Sequence, residues 1–174
     1  MVIETERLKI RDIALSDEKD LIEMASDGSL NDVGLDRNCG SWMKGWIIEA
    51  QNLAHKDNPR TDFLVHVFED RTTGALIGAV GCTFYADLNK VGITYFVGTK
   101  FRGKGYASEA VKAYVSYYFE HYDEKDIIAT IREANIPSWK VIERAGFVLT
   151  EKRMYKDIND TEEVLYRFYT MQRK

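Results

Sequence analysis

A strand, a glycine-rich turn and a long helix follow one another in the middle of this chain. The segment 91–97 is rich in β-branched and aromatic residues, which favours a partly buried strand. In the segment 108–121 apolar residues recur at spacings of three and four, as on the buried face of a helix. Gly103 and Gly105 lie between them, and glycine lets the backbone turn sharply and approach a ligand. Because a helix begins with unpaired N–H groups and a positive dipole end, we predict a phosphate or pyrophosphate site at this turn.

Three phosphate-binding patterns compete for the turn. The nucleotide P-loop needs a Ser or Thr after its lysine to hold Mg²⁺, but Lys104 is followed by Gly105, which disfavours a nucleotide hydrolase. The dinucleotide fingerprint G-x-G-x-x-G/A is incomplete, since Ser108 stands at its last position. The pattern R/Q-x-x-G-x-G/A is matched at every fixed position by residues 102–107, RGKGYA. This segment strongly resembles the acyl-CoA pyrophosphate loop of the GNAT acetyltransferase family; a turn that merely joins strand to helix is the alternative.

The composition narrows the classes of protein that the chain can belong to. With 174 residues, 45% of them hydrophobic and 30% charged, it is long enough for a single domain, residues 1–174, with a sizeable core. The net charge of −4 disfavours a nucleic-acid binder, which usually has a basic surface. Cys39 and Cys82 form no CxxC pair, which favours reduced thiols in a cytoplasmic protein and disfavours a zinc site. No segment reads as a signal peptide or is apolar enough to span a membrane.

The spacing of apolar residues predicts the element order β-α-α-β-β-β-α-β-α-β-β. We expect an α/β (α+β) architecture, with a mixed, mostly antiparallel twisted sheet of about seven strands flanked by about four helices. The predicted strands cover residues 6–13, 63–68, 75–85, 91–97, 127–131, 147–155 and 164–171. Ser16 and Ser41 are predicted to start the first two helices, and the others span 108–121 and 137–145.

The resemblance to the GNAT family extends over nearly the whole chain. Residues 135–138, NIPS, and 141–147, VIERAGF, are similar to the N-x-x-S…V-x-E-x-x-G-F signature of the branch with the RimJ/RimL-type ribosomal-protein N-acetyltransferases. Residues 107–110, ASEA, are similar to the A-T/S-E-A of that branch, and residues 6–8 with Arg11 resemble its first strand. The resemblance implies the GNAT fold, acetyl-CoA as co-substrate and no metal.

The resemblance also implies which residues bind the cofactor. The backbone of Phe96 and Val97 would bind the pantetheine arm, and the N–H groups of the glycine turn would hold the pyrophosphate. The residues of that turn are Arg102, Gly103, Lys104, Gly105, Tyr106 and Ala107. Asn135 would bond the CoA arm, and Ser138 would lie near the sulfur as the catalytic acid or as the holder of a water. Ordinary helix capping is the alternative for Asn135 and Ser138.

The general base is left unassigned. Members of the branch often carry a Glu on the central strand, but Gly92 stands at the matching position. Many GNAT members carry a Tyr acid four positions after the Ser, where this chain has Ile142. Four other polar residues have simpler explanations as surface or packing residues: Glu133, His66, Tyr85 and Asp87. Glu109 is expected to favour the helix start.

The resemblance therefore implies a cytoplasmic N-acetyltransferase that moves an acetyl group from acetyl-CoA to a primary amine. It implies direct attack through a tetrahedral intermediate, since no Cys lies in the motifs of the presumed cleft. A non-catalytic acyl-CoA-binding module is the alternative. The acceptor stays open among a protein N-terminus, a polyamine, an aminoglycoside and a small amino acid. We expect no nucleic-acid or membrane partner, and either a monomer or a homodimer.

Overall fold

The computed structural model of the protein describes all 174 residues and contains one eight-stranded sheet. The strands are β1 (Val2–Glu4), β2 (Leu8–Asp12), β3 (Phe63–Asp70), β4 (Leu76–Tyr85), β5 (Lys90–Val97), β6 (Asp126–Arg132), β7 (Val148–Tyr155) and β8 (Val164–Gln172). The α-helices are α1 (Glu18–Ala25), α2 (Met43–Lys56), α3 (Tyr106–His121) and α4 (Ile136–Ala145). The strand order is β1-β2-β3-β4-β5-β6-β8-β7, and every neighbouring pair is antiparallel except β5 and β6.

The predicted mixed sheet with four helices is confirmed, with three local differences. The sheet has an eighth strand, because residues 2–4 pair with β2 and are too few to give an alternating pattern in the sequence. Ser16 does not cap a helix: it lies inside a 3-10 turn, where the Asp17 carboxylate accepts the N–H of Ala14 at 2.8 Å. The second helix begins at Met43, because residues 39–41 form a separate 3-10 turn.

The sheet separates two apolar clusters, and alternate residues of β3 belong to opposite clusters. Leu64 and Phe68 pack in the cluster that includes α3, whereas Val65 and Val67 pack in the cluster that includes α1 and α2. Such a period of two places helices on both faces of the sheet. Tyr114 of α3 is fully buried, and burying one large apolar side chain contributes about 1.5–3 kcal/mol.

The sheet opens between its two parallel strands. The only paired residues of β5 and β6 are Gly92 and Ile128, near the beginning of both strands. Beyond this pair β5 keeps its ladder with β4 as far as Val97, and β6 keeps its ladder with β8 as far as Arg132. The second halves of β5 and β6 therefore diverge and leave backbone groups without strand partners.

Candidate active site

Backbone N–H and C=O groups line the opening between β5 and β6. The N–H of Gly98 donates to the C=O of Ile77 on β4 at 2.9 Å. Because alternate residues of a strand turn their backbone groups to opposite neighbours, Phe96 faces β4, while Tyr95 and Val97 face the opening. The backbone of Phe96, which was predicted to bind the pantetheine arm, lies on the β4 side, and Phe96 also lines the adjoining cleft.

The same alternation identifies the groups on the opposite side of the opening. The N–H of Glu133 donates to the C=O of Leu165 on β8 at 2.8 Å. Thr130 and Arg132, three residues and one residue before Glu133, therefore turn their backbone groups toward β5. An extended ligand arm in the opening would meet hydrogen-bonding groups on both sides, as an added strand does.

The predicted phosphate turn lies next to this opening, at the start of α3. Gly103 and Gly105 have φ angles of 76° and 81°, in the left-handed region that favours glycine. A Cβ on Gly103 would meet no atom within 4 Å, so the turn requires glycine for its backbone conformation and not for lack of space. The N–H groups of residues 103–108 donate to no acceptor in the protein. They form a set of unpaired donors at the positive end of the helix, which suits an anion.

Side chains hold the turn in place from two directions. The guanidinium of Arg102 donates to the C=O of Val97 at 3.0 Å and to the C=O of Ser29 at 3.3 Å. Arg102 therefore ties the turn to β5, and its charge is less available to a phosphate than the sequence pattern suggested. From the other side, Arg7 donates to the C=O of Lys104 at 2.8 Å.

Glu109 connects the start of α3 to the N-terminal segment. Its carboxylate accepts the hydroxyl of Thr5 at 2.6 Å, the N–H of Arg7 at 3.0 Å and the Arg7 guanidinium at 2.7 Å. Although burial acts in the opposite direction, the hydrogen bonds from Thr5 and Arg7 hold the pKa of Glu109 below its ordinary value. The contacts of Glu109 all fix α3, so this carboxylate has a structural role.

Ser138 and Tyr95 share a hydrogen bond where the opening meets α4. The hydroxyl of Tyr95 lies 2.7 Å from Oγ of Ser138 and 2.8 Å from its C=O. Asn135 is the residue that caps α4, accepting the N–H of Ser138 at 3.3 Å, so the Ser138 hydroxyl is not used as a cap. Burial raises the pKa of Tyr95 well above its ordinary value, which keeps the phenol protonated. Tyr95 was not among the predicted site residues, although its position on β5 two residues from Val97 was a usable signal.

A cleft of about 600 Å³ adjoins the opening. Both Ser138 and Tyr95 line it, and Trp46 and Phe63 stack in its wall with ring centroids 6.0 Å apart. Trp46 of α2 therefore lines the cleft, whereas Trp42, just before that helix, does not. Ile158, at the cleft rim in the β7–β8 loop, is 92% exposed.

Arg132 joins two loops at one edge of the cleft. Its guanidinium lies 3.2 Å from Asp32 in the α1–α2 connection and also pairs with Asp160 in the β7–β8 loop. The hydroxyl of Tyr166 donates to Asp160 at 2.7 Å. Although burial opposes them, the bonds from Tyr166 and Arg132 hold the pKa of Asp160 below its ordinary value.

Three other carboxylates line the cleft without a salt bridge: Asp62, Asp87 and Asp157. Asp87 accepts a hydrogen bond from the hydroxyl of Tyr155 at 3.0 Å, and Asp157 accepts one from Tyr85 at 3.4 Å. Burial raises the pKa of Asp157 above its ordinary value. Four aspartates line the cleft against two cations, Arg132 and Lys156, so the cleft carries a net negative charge, which suits a cationic ligand.

Tyr85 explains why the central strand has a glycine at position 92. A Cβ on Gly92 would lie 2.5 Å from the ring of Tyr85, so any side chain there would displace that ring. The Tyr85 hydroxyl accepts a hydrogen bond from Thr130 at 3.2 Å. Burial raises the pKa of Tyr85 to about 12.

The structure shows which of the four polar residues without an assigned role line the cleft. Tyr85 and Asp87 line the cleft. Glu133 pairs with Arg167 at 2.6 Å, which lowers the pKa of its carboxylate. His66 is buried on β3 with Nδ1 3.0 Å from Asp12, away from the cleft. Glu133 and His66 are therefore structural, whereas Tyr85 and Asp87 can meet a ligand.

Two features are absent from the structure. No group of three or more His, Cys, Asp or Glu side chains is arranged to hold a metal ion. None of the helices combines the length and the apolar character needed to cross a bilayer.

Known proteins are similar to this chain in sequence and in fold. The chain is 28% identical over 152 residues to the uncharacterized N-acetyltransferase YnaD of Bacillus subtilis, covering 84% of this chain and 82% of that protein. An acetyltransferase of the GNAT family from Bacillus anthracis superposes with a TM-score of 0.80 at 22% identity, covering 99% and 98% of the two chains. RimL, a ribosomal L7/L12 alpha-N-protein acetyltransferase in complex with coenzyme A, superposes with a TM-score of 0.83 at 15% identity, covering 99% and 98%.

The strongest comparison concerns the stretch that contains the turn, the opening and α4. A model of the acetyltransferase (GNAT) domain matches residues 7–148, most of the chain. The matched residues include 103–108, which carry the unpaired N–H groups, and both Ser138 and Tyr95. The protein therefore belongs to the GNAT acetyltransferase family and is an acyltransferase.

Proposed function

We propose that the protein is an N-acetyltransferase that moves the acetyl group of acetyl-CoA directly to a primary amine. The observation that carries this proposal is the run of unpaired N–H groups at residues 103–108, next to an open strand edge that leads into a cleft. This order of features fits a molecule with a pyrophosphate, an extended arm and a reactive end. Acetyl-CoA would supply the thioester.

The turn and the strand edge would bind the two parts of coenzyme A. The N–H groups of residues 103–108 would hold the pyrophosphate, with the exposed Lys104 adding positive charge. Tyr95 and Val97 would bond the pantetheine arm through their backbones. The C=O of Val97 already accepts Arg102 at 3.0 Å, so its N–H is the group left for the arm. Coenzyme A in the RimL complex supports this choice of ligand.

Ser138 and Tyr95 would provide the proton that the departing sulfur needs. The two hydroxyls are 2.7 Å apart, and the raised pKa of Tyr95 keeps the phenol protonated at neutral pH. As the bond to sulfur breaks, the Ser138 hydroxyl would give its proton to the departing sulfur and Tyr95 would donate to the Ser138 oxygen. A proton lost by the attacking amine would return to this pair. An unpaired N–H of β5 would stabilise the oxyanion.

The uncompensated carboxylates of the cleft favour a primary amine as the acceptor. Asp62, Asp87 and Asp157 have no cationic partner in the protein, and an alkyl amine is protonated at neutral pH. A protein N-terminus, a polyamine, an aminoglycoside and a small amino acid all meet this requirement.

Turnover distinguishes the enzyme from a binding module. Acetyl-CoA is mixed with the protein and a panel of primary amines, and release of the CoA thiol is followed together with the mass of the acetylated product. We expect release that depends on both the protein and an amine. Tight binding of acetyl-CoA without release for any amine would contradict the proposal and favour the acyl-CoA-binding module.

A further inference from the structure

Asp157 differs from the other acidic residues around the cleft. Asp32 and Asp160 are paired with Arg132, and Asp62 and Asp87 are exposed to solvent. Asp157 is half-buried and forms no salt bridge. A carboxylate that is partly removed from water without a salt bridge is costly unless a ligand supplies the missing charge.

The contacts of Asp157 fix its position and leave one oxygen available. Its Oδ1 accepts the N–H of Ile158 at 2.7 Å, and its own N–H donates to Asp160 at 3.0 Å. Asp160 is held in turn by Arg132 and Tyr166, so the loop is anchored to β6 and β8. The Oδ2 atom receives only the long 3.4 Å bond from Tyr85.

A chain of hydrogen bonds joins this carboxylate to the opening between β5 and β6. The hydroxyl of Thr130, whose backbone borders the opening, donates to Tyr85 at 3.2 Å, and Tyr85 donates to Asp157 at 3.4 Å. The Tyr85 ring rests against Gly92, where a Cβ would come within 2.5 Å of it. Gly92 therefore makes room for the ring that supports Asp157.

We propose that Asp157 is the general base of the reaction and binds the acceptor ammonium, with Tyr85 as a positioning residue. This inference rests on the proposed function. The ammonium gives one proton to Oδ2 of Asp157, and the nitrogen lone pair then forms the bond to the acetyl carbon. The bond from that carbon to sulfur breaks, the sulfur takes the proton of the Ser138 hydroxyl, and the second proton lost by the nitrogen restores that hydroxyl. The proton on Asp157 then passes to solvent.

The charged neighbours of Asp157 define what its titration reports. Asp87 and Asp160 face it from the β4–β5 turn and from its own loop, and both disfavour its ionised form. Tyr85 faces it from β4 and favours the ionised form through its hydrogen bond. Tyr155 of β7 and Tyr166 of β8 also face it, and the exposed Lys156 precedes it in the chain. The acidic limb of the pH profile for kcat/KM should therefore lie above the ordinary range of an aspartate.

Steady-state kinetics of two Asp→Asn variants test the proposal. The amine used is the one with the highest turnover from a panel of alanyl-alanine, spermidine and n-butylamine. Asp157→Asn should lower kcat by about a hundredfold or more and remove the acidic limb, with acetyl-CoA affinity unchanged. The control Asp87→Asn removes equal charge from the same cleft and should keep the limb. A kcat within threefold of wild type, or a surviving limb, in folded Asp157→Asn would overturn the proposal.

The substitution Tyr85→Phe tests the positioning role, because a purely structural role for Tyr85 would leave the acidic limb of the pH profile unchanged. The ring over Gly92 stays, but the hydrogen bond that favours ionised Asp157 is lost. The acidic limb should therefore move to higher pH, and the thermal midpoint should change little. An unmoved limb would contradict the positioning role.

A second measurement separates this inference from the proposed function because it needs no turnover. The side-chain carboxyl carbons of aspartate are labelled with ¹³C, and the protein is saturated with CoA lacking an acetyl group. The Asp157 signal, assigned with Asp157→Asn, should shift saturably with n-butylammonium and not with n-butanol. A shift in a protein that acetylates no amine would leave the ammonium site standing and remove the proposed activity. No shift would remove the ammonium site even in an active enzyme.

Discussion

The two ends of the candidate active site are built in different ways. The cofactor end uses backbone groups of regular elements: the N–H groups of residues 103–108 and the open edge of β5. The acceptor end uses side chains from separate segments, with Tyr85 on β4 and Asp157 in the β7–β8 loop. Backbone donors at a helix start can hold any pyrophosphate, whereas side chains on loops can change one by one. The difference fits a constant cofactor and an acceptor that is specific to this protein.

A substitution at Gly105 should have the largest effect on the cofactor end. Gly105 has a φ of 81°, and forcing a β-branched residue into that conformation costs about 1–3 kcal/mol. If the turn instead rearranges, the N–H groups no longer converge. Gly105→Val should weaken acetyl-CoA binding by up to about a hundredfold, since 1.4 kcal/mol is a factor of ten. Isothermal titration calorimetry measures this.

Gly74→Val is the matched control for that substitution. Gly74 has a φ of 70° in the turn between β3 and β4, and a Cβ there would meet no atom within 4 Å. The control therefore carries the same kind of backbone strain away from the turn before α3. It should lower stability about as much and leave acetyl-CoA affinity intact. Equal losses of affinity in both variants would mean that strain, and not the phosphate turn, is responsible.

The hydroxyl pair at the junction of the two ends should control kcat and not cofactor affinity. Ser138→Ala removes the proposed proton donor and should lower kcat by about a hundredfold. Tyr95→Phe should lower it by a similar or smaller factor, because the 2.7 Å bond joins the two hydroxyls in one path. The double variant should lose little more than Ser138→Ala alone. Steady-state kinetics that show independent, multiplying losses would contradict a shared path.

The contacts of Glu109 with Thr5 and Arg7, next to the cofactor end, should stabilise the folded protein. Glu109→Gln weakens the bonds to Thr5 and Arg7 and should lower the free energy of unfolding by about 1 kcal/mol, since Arg7 is partly exposed. The folded pKa of Glu109 is lowered, so its contribution is present above the unfolded pKa and is lost as pH falls through the folded value. Urea titrations at pH 7 and pH 3 measure the free energy of unfolding and its dependence on pH.

The pH dependence of the Glu109→Gln effect provides a control for the role of charge at this position. The difference between Glu109→Gln and wild type should shrink at pH 3, because the unfolded state takes up a proton there and the advantage of the lowered folded pKa is being lost. Glu151→Gln, at an exposed position of β7, should change stability by less than about 0.5 kcal/mol at either pH. A Glu109→Gln deficit that is equally large at both pH values would exclude charge as its cause.

The smallest effect on the protein as a whole is expected at Ile158, at the rim of the acceptor end. Because this side chain is 92% exposed, Ile158→Ala should change stability by less than about 0.5 kcal/mol. Acetyl-CoA affinity should not change, and KM for the acceptor should rise a few-fold. A changed acetyl-CoA affinity would break the division between the two ends.

The same division explains what could be predicted from the sequence. The turn at residues 102–107 and the helix after it are local, so their glycine pattern and apolar spacing identified both the element order and the family. Tyr85, Thr130 and Asp157 are brought together only by the strand order and the β7–β8 loop, and no spacing in the sequence records that contact. Gly92 seemed to mark a missing base, whereas in the fold it makes room for Tyr85.

Two smaller differences between the sequence prediction and the fold have similar causes. Phe96 and Val97 were assigned together, but adjacent residues of a strand turn their backbones to opposite sides, and only the ladder with β4 shows which one faces the opening. Ser16 is of a residue type that often caps helices. Asp17 instead accepts the N–H of Ala14 and pairs with Arg11, so tertiary contacts decided the local structure.

The most direct test of the central claim is a crystal structure of the protein with coenzyme A. We predict that the diphosphate oxygens accept hydrogen bonds from N–H groups within residues 103–108 and that the arm lies between β5 and β6. A diphosphate bound elsewhere, with those N–H groups facing only water, would contradict the account.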